Sequence, residues 1–473
     1  MGARVLFIHP PYVTHVVSPP MGIGYLSSYL KREGHEVSLL DLNILTVSCK
    51  GREGILQRVR QYRPDLVGVP IMCTGMDQVR DIVSVVKRET DVPVVLGGAQ
   101  ASALPEHSLR FTGADYVVVG EGELTTAELV SALGLSADLS EVLGLGYMAD
   151  EEFKLNAPRP LVKDLDSLPI PDWDLIAPRN YRIAPILSSA KAWPIAPVVT
   201  SRGCPFDCTF CAGKSIWGKT YRYRDAVPVV DEIEMLMKDY GVREIFMGDD
   251  NFNLKTSHAT EICEQVLRRG LTLPWACPNG VRVDSLKPDL LALMKRAGAH
   301  LVGLGIESGD QEVLDRAKKG LDLSIVPHVC REIDEAGITA VGFFVLGLPG
   351  DNRETVEKTI KFSRALPLKR AWFNILAPYP GSELFEMYLK DRNIDSLEWS
   401  ALDTCGDDVA QMSSVSPEEL DKLQKRAAFL FYARPRILFD LLISQRPATI
   451  ISLFRTRFFQ KILGREKDAG TIR

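Results

Sequence analysis

An alternation of short apolar segments with helical segments runs twice along the chain, and this pattern limits the possible folds more than any other feature. In the first series, apolar segments such as RVLFIHP and VPVVLGG alternate with segments such as MDQVRDIVSVVKRE, where apolar residues recur every three or four positions. A second series begins near Ala196. This alternation is typical of helices packed on parallel sheets. We therefore expect an α/β protein with two such units.

The first series contains five strand candidates and predicts a Rossmann-like, five-stranded parallel sheet in residues 1–140. Ligands of open parallel sheets bind beyond the carboxyl ends of the strands. Glycines lie there, which either allow a bulky ligand to approach the backbone or serve only tight turns. The candidate ligand-binding residues at these ends are Met21, Gly22, Thr74, Gly97, Gly98, Ala99, Gly120 and Glu121.

The sequence next predicts a hairpin, which a proline-rich stretch follows. We predict an interdomain linker over residues 141–190 because repeated prolines interrupt helices and central strands. The second series has six strand and helix units and predicts a partial (β/α)6 barrel over residues 191–384, with its chemistry at the carboxyl-terminal rim. Residues 385–473 predict a helical C-terminal region that covers the substrate.

Three cysteines lie just after the first strand of this second series, in SRGCPFDCTFC. They are Cys204, Cys208 and Cys211, and no fourth ligand is near in sequence. A structural zinc site needs four ligands, whereas an iron–sulfur cubane held by three thiolates keeps one iron open to another molecule. The spacing therefore predicts an iron–sulfur site with an open coordination position.

Composition excludes several classes of function. The formal net charge of −5 and the absence of a basic stripe argue against a nucleic-acid partner. The sequence contains no run of about 18 uncharged apolar residues, which is the length that a membrane-spanning helix requires. Six isolated cysteines fit buried thiols in a reducing, cytoplasmic compartment.

CPFDCTFC, with Phe210 before its last cysteine, resembles the signature of the radical S-adenosylmethionine superfamily. IFMGDDNF, GIESG, GFFVLGLPGD and APYPGSELF are similar to further segments of that family. The resemblance implies a [4Fe–4S] cluster on the three cysteines, with S-adenosylmethionine chelating the open iron and yielding a 5′-deoxyadenosyl radical on reduction. It also implies that residues at the strand ends contact S-adenosylmethionine: Phe210, Asp249, Asn279, Arg282, Glu307, Ser308 and Leu348.

Three N-terminal segments, PPMGIGYLSSYLKREGHEV, VVLGGAQASALPE and ADYVVVGEGE, resemble the cobalamin-binding domain of cobalamin-dependent radical S-adenosylmethionine enzymes. The resemblance implies that the glycine-rich strand ends named above bind cobalamin. No Asp-x-His-x-x-Gly motif occurs, so no histidine is offered as a lower axial ligand. This agrees with the family, in which that face of cobalamin is unligated.

The resemblance implies a C-methyltransferase that methylates an unactivated carbon of a small molecule, natural-product or lipid-like, and receives electrons from a flavodoxin or ferredoxin. A cyclase or rearrangement enzyme with both cofactors stays open as an alternative. So does a dehydratase or epimerase without cobalamin. Outside enzymes, the alternatives are an iron–sulfur electron carrier and a cobalamin-binding sensor.

Several residues also have ordinary structural interpretations. Glu307 would cap a helix, Arg282 would pair with Asp284, and Asp249 with Asp250 would form either a general-acid pair or a supporting contact. The tail from Phe429 to Leu463 mixes apolar and basic residues. A helical layer closing the barrel is favoured for it over a membrane-surface helix.

Overall fold

The computed structural model describes residues 2–11, 18–44, 51–181, 190–402 and 412–437. Its strands are β1 Arg4–His9, β2 Glu36–Asp41, β3 Leu66–Pro70, β4 Val94–Gly97, β5 Tyr116–Val118, β6 Leu145–Ala149, β7 Glu152–Leu155, β8 Ile195–Val198, β9 Ser201–Arg202, β10 Arg222–Tyr223, β11 Glu244–Met247, β12 Trp275–Val281, β13 Ala299–Glu307, β14 Thr339–Leu346 and β15 Arg370–Ile375.

The α-helices of the described residues are α1 Met21–Arg32, α2 Arg52–Tyr62, α3 Met76–Glu89, α4 Ala99–Ala103, α5 Pro105–Thr112, α6 Glu123–Leu135, α7 Lys214–Trp217, α8 Ala226–Asp239, α9 Thr256–Arg268, α10 Pro288–Arg296, α11 Gln311–Arg316, α12 Val326–Glu335, α13 Arg353–Ala365, α14 Glu383–Leu389 and α15 Pro417–Tyr432. None of them combines the length and the hydropathy needed to cross a membrane.

The first sheet has the order β2-β1-β3-β4-β5-β6-β7. Strands β1 to β5 are parallel, which confirms the predicted five-stranded core of this sheet. The predicted hairpin, β6 and β7, also joins the sheet, because β6 pairs antiparallel with β5 through Tyr116 and Tyr147. The hairpin thus covers an edge of β5 that would otherwise expose unpaired backbone groups.

The second sheet has the order β15-β14-β13-β12-β11-β8, and all its neighbours are parallel. This is the predicted six-unit partial barrel. Its strands are buried on both faces, as the nine-residue β13 shows, because helices cover the outside and apolar side chains such as Phe246 and Leu301 pack inside.

The segment that follows the barrel links the two sheets. Phe385, Trp399 and Leu402 pack into the apolar core of the first sheet, and the 3-10 turn Trp399–Leu402 contacts the turn Cys73–Gly75. Further along, the backbone N–H of Ser414 donates to the carbonyl of Asp351 at the barrel rim. The segment therefore crosses from the barrel to the strand ends of the first sheet and returns.

Helix α15 begins after Ser416, whose hydroxyl accepts a hydrogen bond from the N–H of Glu419. The helix packs on β15 and adds a layer to the outside of the barrel. Residues 438–473, which include the larger part of the basic and apolar tail, lie outside the described residues. Both interpretations of the tail, a helical layer closing the barrel and a membrane-surface helix, therefore stay predictions.

Candidate active site

The three cysteines lie on one loop whose base is closed by two short strands. Strand β9 pairs antiparallel with β10, so residues 203–221 leave the barrel and return to it. Gly203 opens the loop with φ +86°, and a Cβ at this position would lie 2.3 Å from the carbonyl oxygen of Thr220. Only glycine fits this turn, which sends the loop across the barrel rim.

The middle of the loop is fixed by backbone hydrogen bonds. Thr209 N–H donates to the carbonyl of Ala317 at 3.0 Å, and its carbonyl accepts from Leu384 N–H at 3.0 Å. Cys204 and Cys208 are half-buried free thiols and Cys211 is exposed. Burial raises the pKa of the thiols of Cys204 and Cys208.

The chemistry of these three thiols suits an iron–sulfur cluster. Cysteine thiolates are the usual ligands of such clusters. Three thiolates without histidine are also the soft donor set that such clusters select.

Lys319 lies beside this loop, and we did not predict it from the sequence. Its half-buried side chain places the ammonium to donate to Glu307 Oε1 at 2.7 Å, and the ammonium lies 6.0 Å from the ring centroid of Phe210. Burial alone would lower the pKa of Lys319, but the charges of Glu307 and of Cys208 raise it. The lysine therefore keeps a positive charge next to the cysteines.

Arg282 contacts protein groups in this structure. Its guanidinium pairs with Asp284 and donates to the carbonyls of Lys319 at 3.2 Å and Gly320 at 3.0 Å, while its contact with S-adenosylmethionine stays a prediction. It also lies 3.8 Å from the ring centroid of Phe206 in the cysteine loop. Arg282 is thus placed to position both Lys319 and the loop.

Asp249 and Asp250 have different surroundings. Asp249 is buried and accepts hydrogen bonds from the N–H and hydroxyl groups of Thr200 and Ser201, so it ties the end of β11 to the end of β8. Burial raises the pKa of Asp249 to about 6 despite these donors. Asp250 is exposed at the rim, and a Cβ on Gly213 would lie 3.6 Å from Cys211 Sγ and 3.9 Å from Asp250 Oδ2.

The other predicted contacts of S-adenosylmethionine also lie at the rim. Asn279 is exposed and its amide donates to the carbonyl of Gly248 at 3.2 Å. Leu348 is fully buried and belongs to the apolar cluster that contacts Phe210. The Ser308 hydroxyl is buried, contacts Thr359 and accepts from Asp310 N–H, so it shapes the turn after β13.

Most candidate residues of the first sheet lie together at one edge, which is formed by the carboxyl ends of neighbouring strands. Thr74 follows β3, Gly97 ends β4 and precedes Gly98 and Ala99, and Gly120 follows β5; these strands are neighbours in the sheet. Gly97 has no atom within 4 Å of the position of a Cβ, so the surface above it is open. The Met21 and Gly22 positions begin α1, and Met21 packs partly against the core of the barrel unit.

Gln100, in the first turn of α4, supplies an observation that tests the fit of a ligand here. Its side chain is 1% exposed, and neither its amide nitrogen nor its amide oxygen has a hydrogen-bond partner among the described residues. An unpaired buried amide costs about 1–3 kcal/mol, so such groups are normally satisfied. A ligand rich in amides and phosphate oxygens, as cobalamin is, would satisfy it, and the open glycines beside it provide space.

Two families match this chain in the regions that form the two sheets. The B12 binding domain family matches residues 13–130, and the radical SAM superfamily matches residues 198–363. An uncharacterised methyltransferase of Pyrococcus horikoshii is 33% identical over 92% of this chain and 94% of its own length. The chain belongs to the cobalamin-dependent radical S-adenosylmethionine enzymes.

This cobalamin-dependent radical enzyme is also similar to a cyclase and to a methyltransferase of known structure. An anaerobic magnesium-protoporphyrin IX monomethyl ester cyclase of Rubrivivax gelatinosus is 30% identical over 81% of this chain and 69% of the cyclase. The solved structure of the radical S-adenosylmethionine methyltransferase TsrM from Kitasatospora setae has a TM-score of 0.71 at 22% identity, and covers 83% of this chain and 77% of TsrM. The TsrM likeness confirms the fold.

The family assigns a resident cofactor to each site. The loop 203–221 of this radical enzyme carries the three predicted cluster ligands, and the strand ends of its first sheet carry the predicted cobalamin contacts; these residue assignments stay predictions. Glu121 is the candidate residue whose side chain lies apart from that open edge, because it accepts hydrogen bonds from Arg202 and Arg222 in a buried ion-pair cluster. That contact joins two regions that are distant in sequence, so neither region alone reveals it.

Proposed function

We propose that the protein is a C-methyltransferase that methylates an unactivated carbon of a small, natural-product or lipid-like molecule. The observation that carries this proposal is the direct contact between the cobalamin-side loops and the segment after the cysteines. A Cβ on Gly120 would lie 3.9 Å from the carbonyl oxygen of Ile216, and a Cβ on Gly381 would lie 2.9 Å from Ser215 and 3.2 Å from Ala103. Transfer of a group between two cofactor sites requires such proximity.

When bound, the cluster with S-adenosylmethionine supplies a hydrogen-abstracting radical, and cobalamin supplies a methyl group. Cys204, Cys208 and Cys211 would hold the cluster. Lys319 would attract the carboxylate of S-adenosylmethionine, and Asp250 would accept hydrogen bonds from its amino group. Leu348 and Phe210 would exclude water from this end of the site.

The cobalamin-side proposal rests on the backbone of the first sheet. Gly97 leaves room for the bulky ligand, Gly98, Ala99 and Gly120 would lie beside it, and Thr74 and Gln100 would offer polar groups to it. We propose the unit boundaries 1–140, 141–190, 191–384 and 385–473. The last unit would cap the substrate, since its residues 385–402 lie over the strand end at Cys73.

The second candidate function retains both cofactors but forms a ring or rearranges the substrate without methyl transfer. The cyclase of Rubrivivax gelatinosus favours it, since that relative and the Pyrococcus methyltransferase have similar identities to this chain, 30% and 33%. Both functions need a one-electron donor, and we propose a cytoplasmic flavodoxin or ferredoxin. Seven described cysteines present as free thiols support a reducing compartment.

The proposal is tested anaerobically with reconstituted protein, added hydroxocobalamin, a reductant and S-adenosylmethionine. Bound cobalamin, 5′-deoxyadenosine and S-adenosylhomocysteine are quantified. Methyl transfer predicts retained cobalamin and both nucleosides, whereas deoxyadenosine without S-adenosylhomocysteine favours the cyclase or rearrangement enzyme. Cys208→Ala should abolish deoxyadenosine formation, and Cys263→Ala, which changes a buried thiol on α9, should not.

A further inference from the structure

A buried cluster of four charged side chains joins the edge of the first sheet to the base of the cysteine loop. Arg202, in β9, donates to Glu121 Oε1 at 2.9 Å and to Glu123 Oε1 at 2.7 Å. Arg222, in the paired strand β10, donates to both oxygens of Glu121 at 2.9 Å. These four side chains are only 4–7% exposed.

Aromatic and backbone groups complete the surroundings of this ion-pair cluster. The Arg202 guanidinium lies 5.0 Å from the ring centroid of Tyr25 and 4.9 Å from that of Trp217. Glu121 also accepts from the N–H of Val162 at 2.8 Å, and Arg222 donates to the carbonyls of Val162 and Trp217. The cluster therefore links the first sheet, the linker and both arms of the cysteine loop.

The cluster joins residues that lie next to the two proposed cofactor sites in the chain. Glu121 directly follows Gly120 on the proposed cobalamin edge, and Arg202 stands two residues before Cys204. Two carboxylates and two guanidiniums balance in charge, so removing one member leaves an opposite charge buried without compensation. The conformation of each loop is therefore stabilised in part by the other.

We propose that the Arg202–Glu121–Glu123–Arg222 cluster couples the two cofactor sites, so that filling one site increases the affinity of the other. This inference rests on the proposed function, because it assigns cobalamin to the edge at Gly120. Arg202 is a positioning residue, since its buried guanidinium contacts the two glutamates and two rings of the protein. Coupling of this kind is reciprocal, so it can be measured from either site.

The experiment measures the dissociation constant of hydroxocobalamin by spectrophotometric titration, before and after anaerobic reconstitution of the cluster. We expect the cluster to tighten binding about fivefold or more in the wild type, the lower end of typical coupling between sites. In Arg202→Met this ratio should fall to about one, because Glu123 loses its guanidinium partner. A wild-type ratio of one, or an unchanged ratio in Arg202→Met, would overturn the inference.

Two further variants separate coupling from general damage. Glu123→Gln keeps an oxygen for Arg202 but removes one charge, so it should fold and show an intermediate ratio. His300→Gln breaks the buried pair of His300 with Glu244 at the opposite end of the barrel strands, and should leave the ratio at the wild-type value. If Glu123→Gln leaves the ratio unchanged while His300→Gln lowers it, the coupling does not run through this cluster.

A wild type that binds no cobalamin would refute the proposed function, and amide hydrogen exchange then decides the inference. In Arg202→Met, residues 119–123 and 203–213 should lose protection together, because the cluster holds both. Loss of protection in residues 203–213 alone would overturn the coupling.

Discussion

The two proposed cofactor sites are built in different ways. At the barrel rim, charged side chains are arranged in advance: Lys319 pairs with Glu307, Arg282 with Asp284, and Asp249 receives four donors. At the strand ends of the first sheet, Gly97 leaves open space, and the buried amide of Gln100 has no hydrogen-bond partner among the described residues. A small zwitterion such as S-adenosylmethionine is selected by charge, whereas a bulky ligand such as cobalamin is selected mainly by clearance. Substitutions that remove a charge should therefore weaken the binding of S-adenosylmethionine, and substitutions that fill space should weaken the binding of cobalamin.

The largest effect is expected from Lys319→Met. Removing an ammonium from a charge-assisted contact costs about 2–3 kcal/mol, equivalent to ~30- to 150-fold in affinity for S-adenosylmethionine. Equilibrium dialysis of the cluster-loaded protein measures this affinity. Lys318→Met is the matched control, because Lys318 is the preceding residue but pairs with Glu383 at the surface. Equal affinities for the two variants would mean that charge at Lys319 does not select this ligand.

Gly98→Ala should produce the next largest effect, and on cobalamin. Gly98 has φ +101°, and a Cβ would lie 3.2 Å from the carbonyl oxygen of Ile71, so alanine strains the turn after β4. Such strain costs about 1–2 kcal/mol and should weaken cobalamin binding roughly tenfold. Gly134→Ala, on α6 with no atom within 4 Å, should leave binding unchanged. Weaker S-adenosylmethionine binding in Gly98→Ala, with cobalamin unaffected, would contradict the division between the two sites.

Gln100→Leu should give two changes of opposite sign. Removing an unpaired buried amide should stabilise the cobalamin-free protein by about 1 kcal/mol, and should weaken cobalamin binding about fivefold. Thermal unfolding and spectrophotometric titration measure the two quantities. Gln424→Leu removes an amide that already donates to the Phe373 carbonyl at 2.7 Å, so it should lower stability without changing cobalamin affinity. A stabilised Gln100→Leu protein with wild-type affinity would show that the amide has no part in the cobalamin site.

The same contrast explains what could be predicted from the sequence. Glycines and cysteines mark strand ends by their own chemistry, so both sheets and the cysteine loop could be predicted. Lys319 stands after α11 and not at a strand end, and only the folded loop brings it beside Cys208. For Glu121 the residue type suits the polar tail of a ligand, and the sequence therefore predicts a ligand contact. Its arginine partners lie 81 and 101 residues away along the chain, so they depend on how the loops pack, whereas the Asp284 partner of Arg282 is close enough in sequence to be considered in advance.

Asp249 should also contribute a pH dependence to the stability of the fold. Burial raises the pKa of Asp249 to about 6 in the folded protein, from 3.8. Between these values the folded state holds a proton that the unfolded state has released, so the free energy of unfolding falls as pH rises from about 4 to 6. Asp249→Asn should remove this contribution, at most about 3 kcal/mol across that range. Thermal midpoints of the cluster-free proteins at pH 4, 5, 6 and 7 measure the difference, with Asp91→Asn, an exposed carboxylate, as the control. Parallel pH profiles for wild type and Asp249→Asn would mean that the donors from Thr200 and Ser201 offset the cost of burial, and that this carboxylate stays charged at the rim.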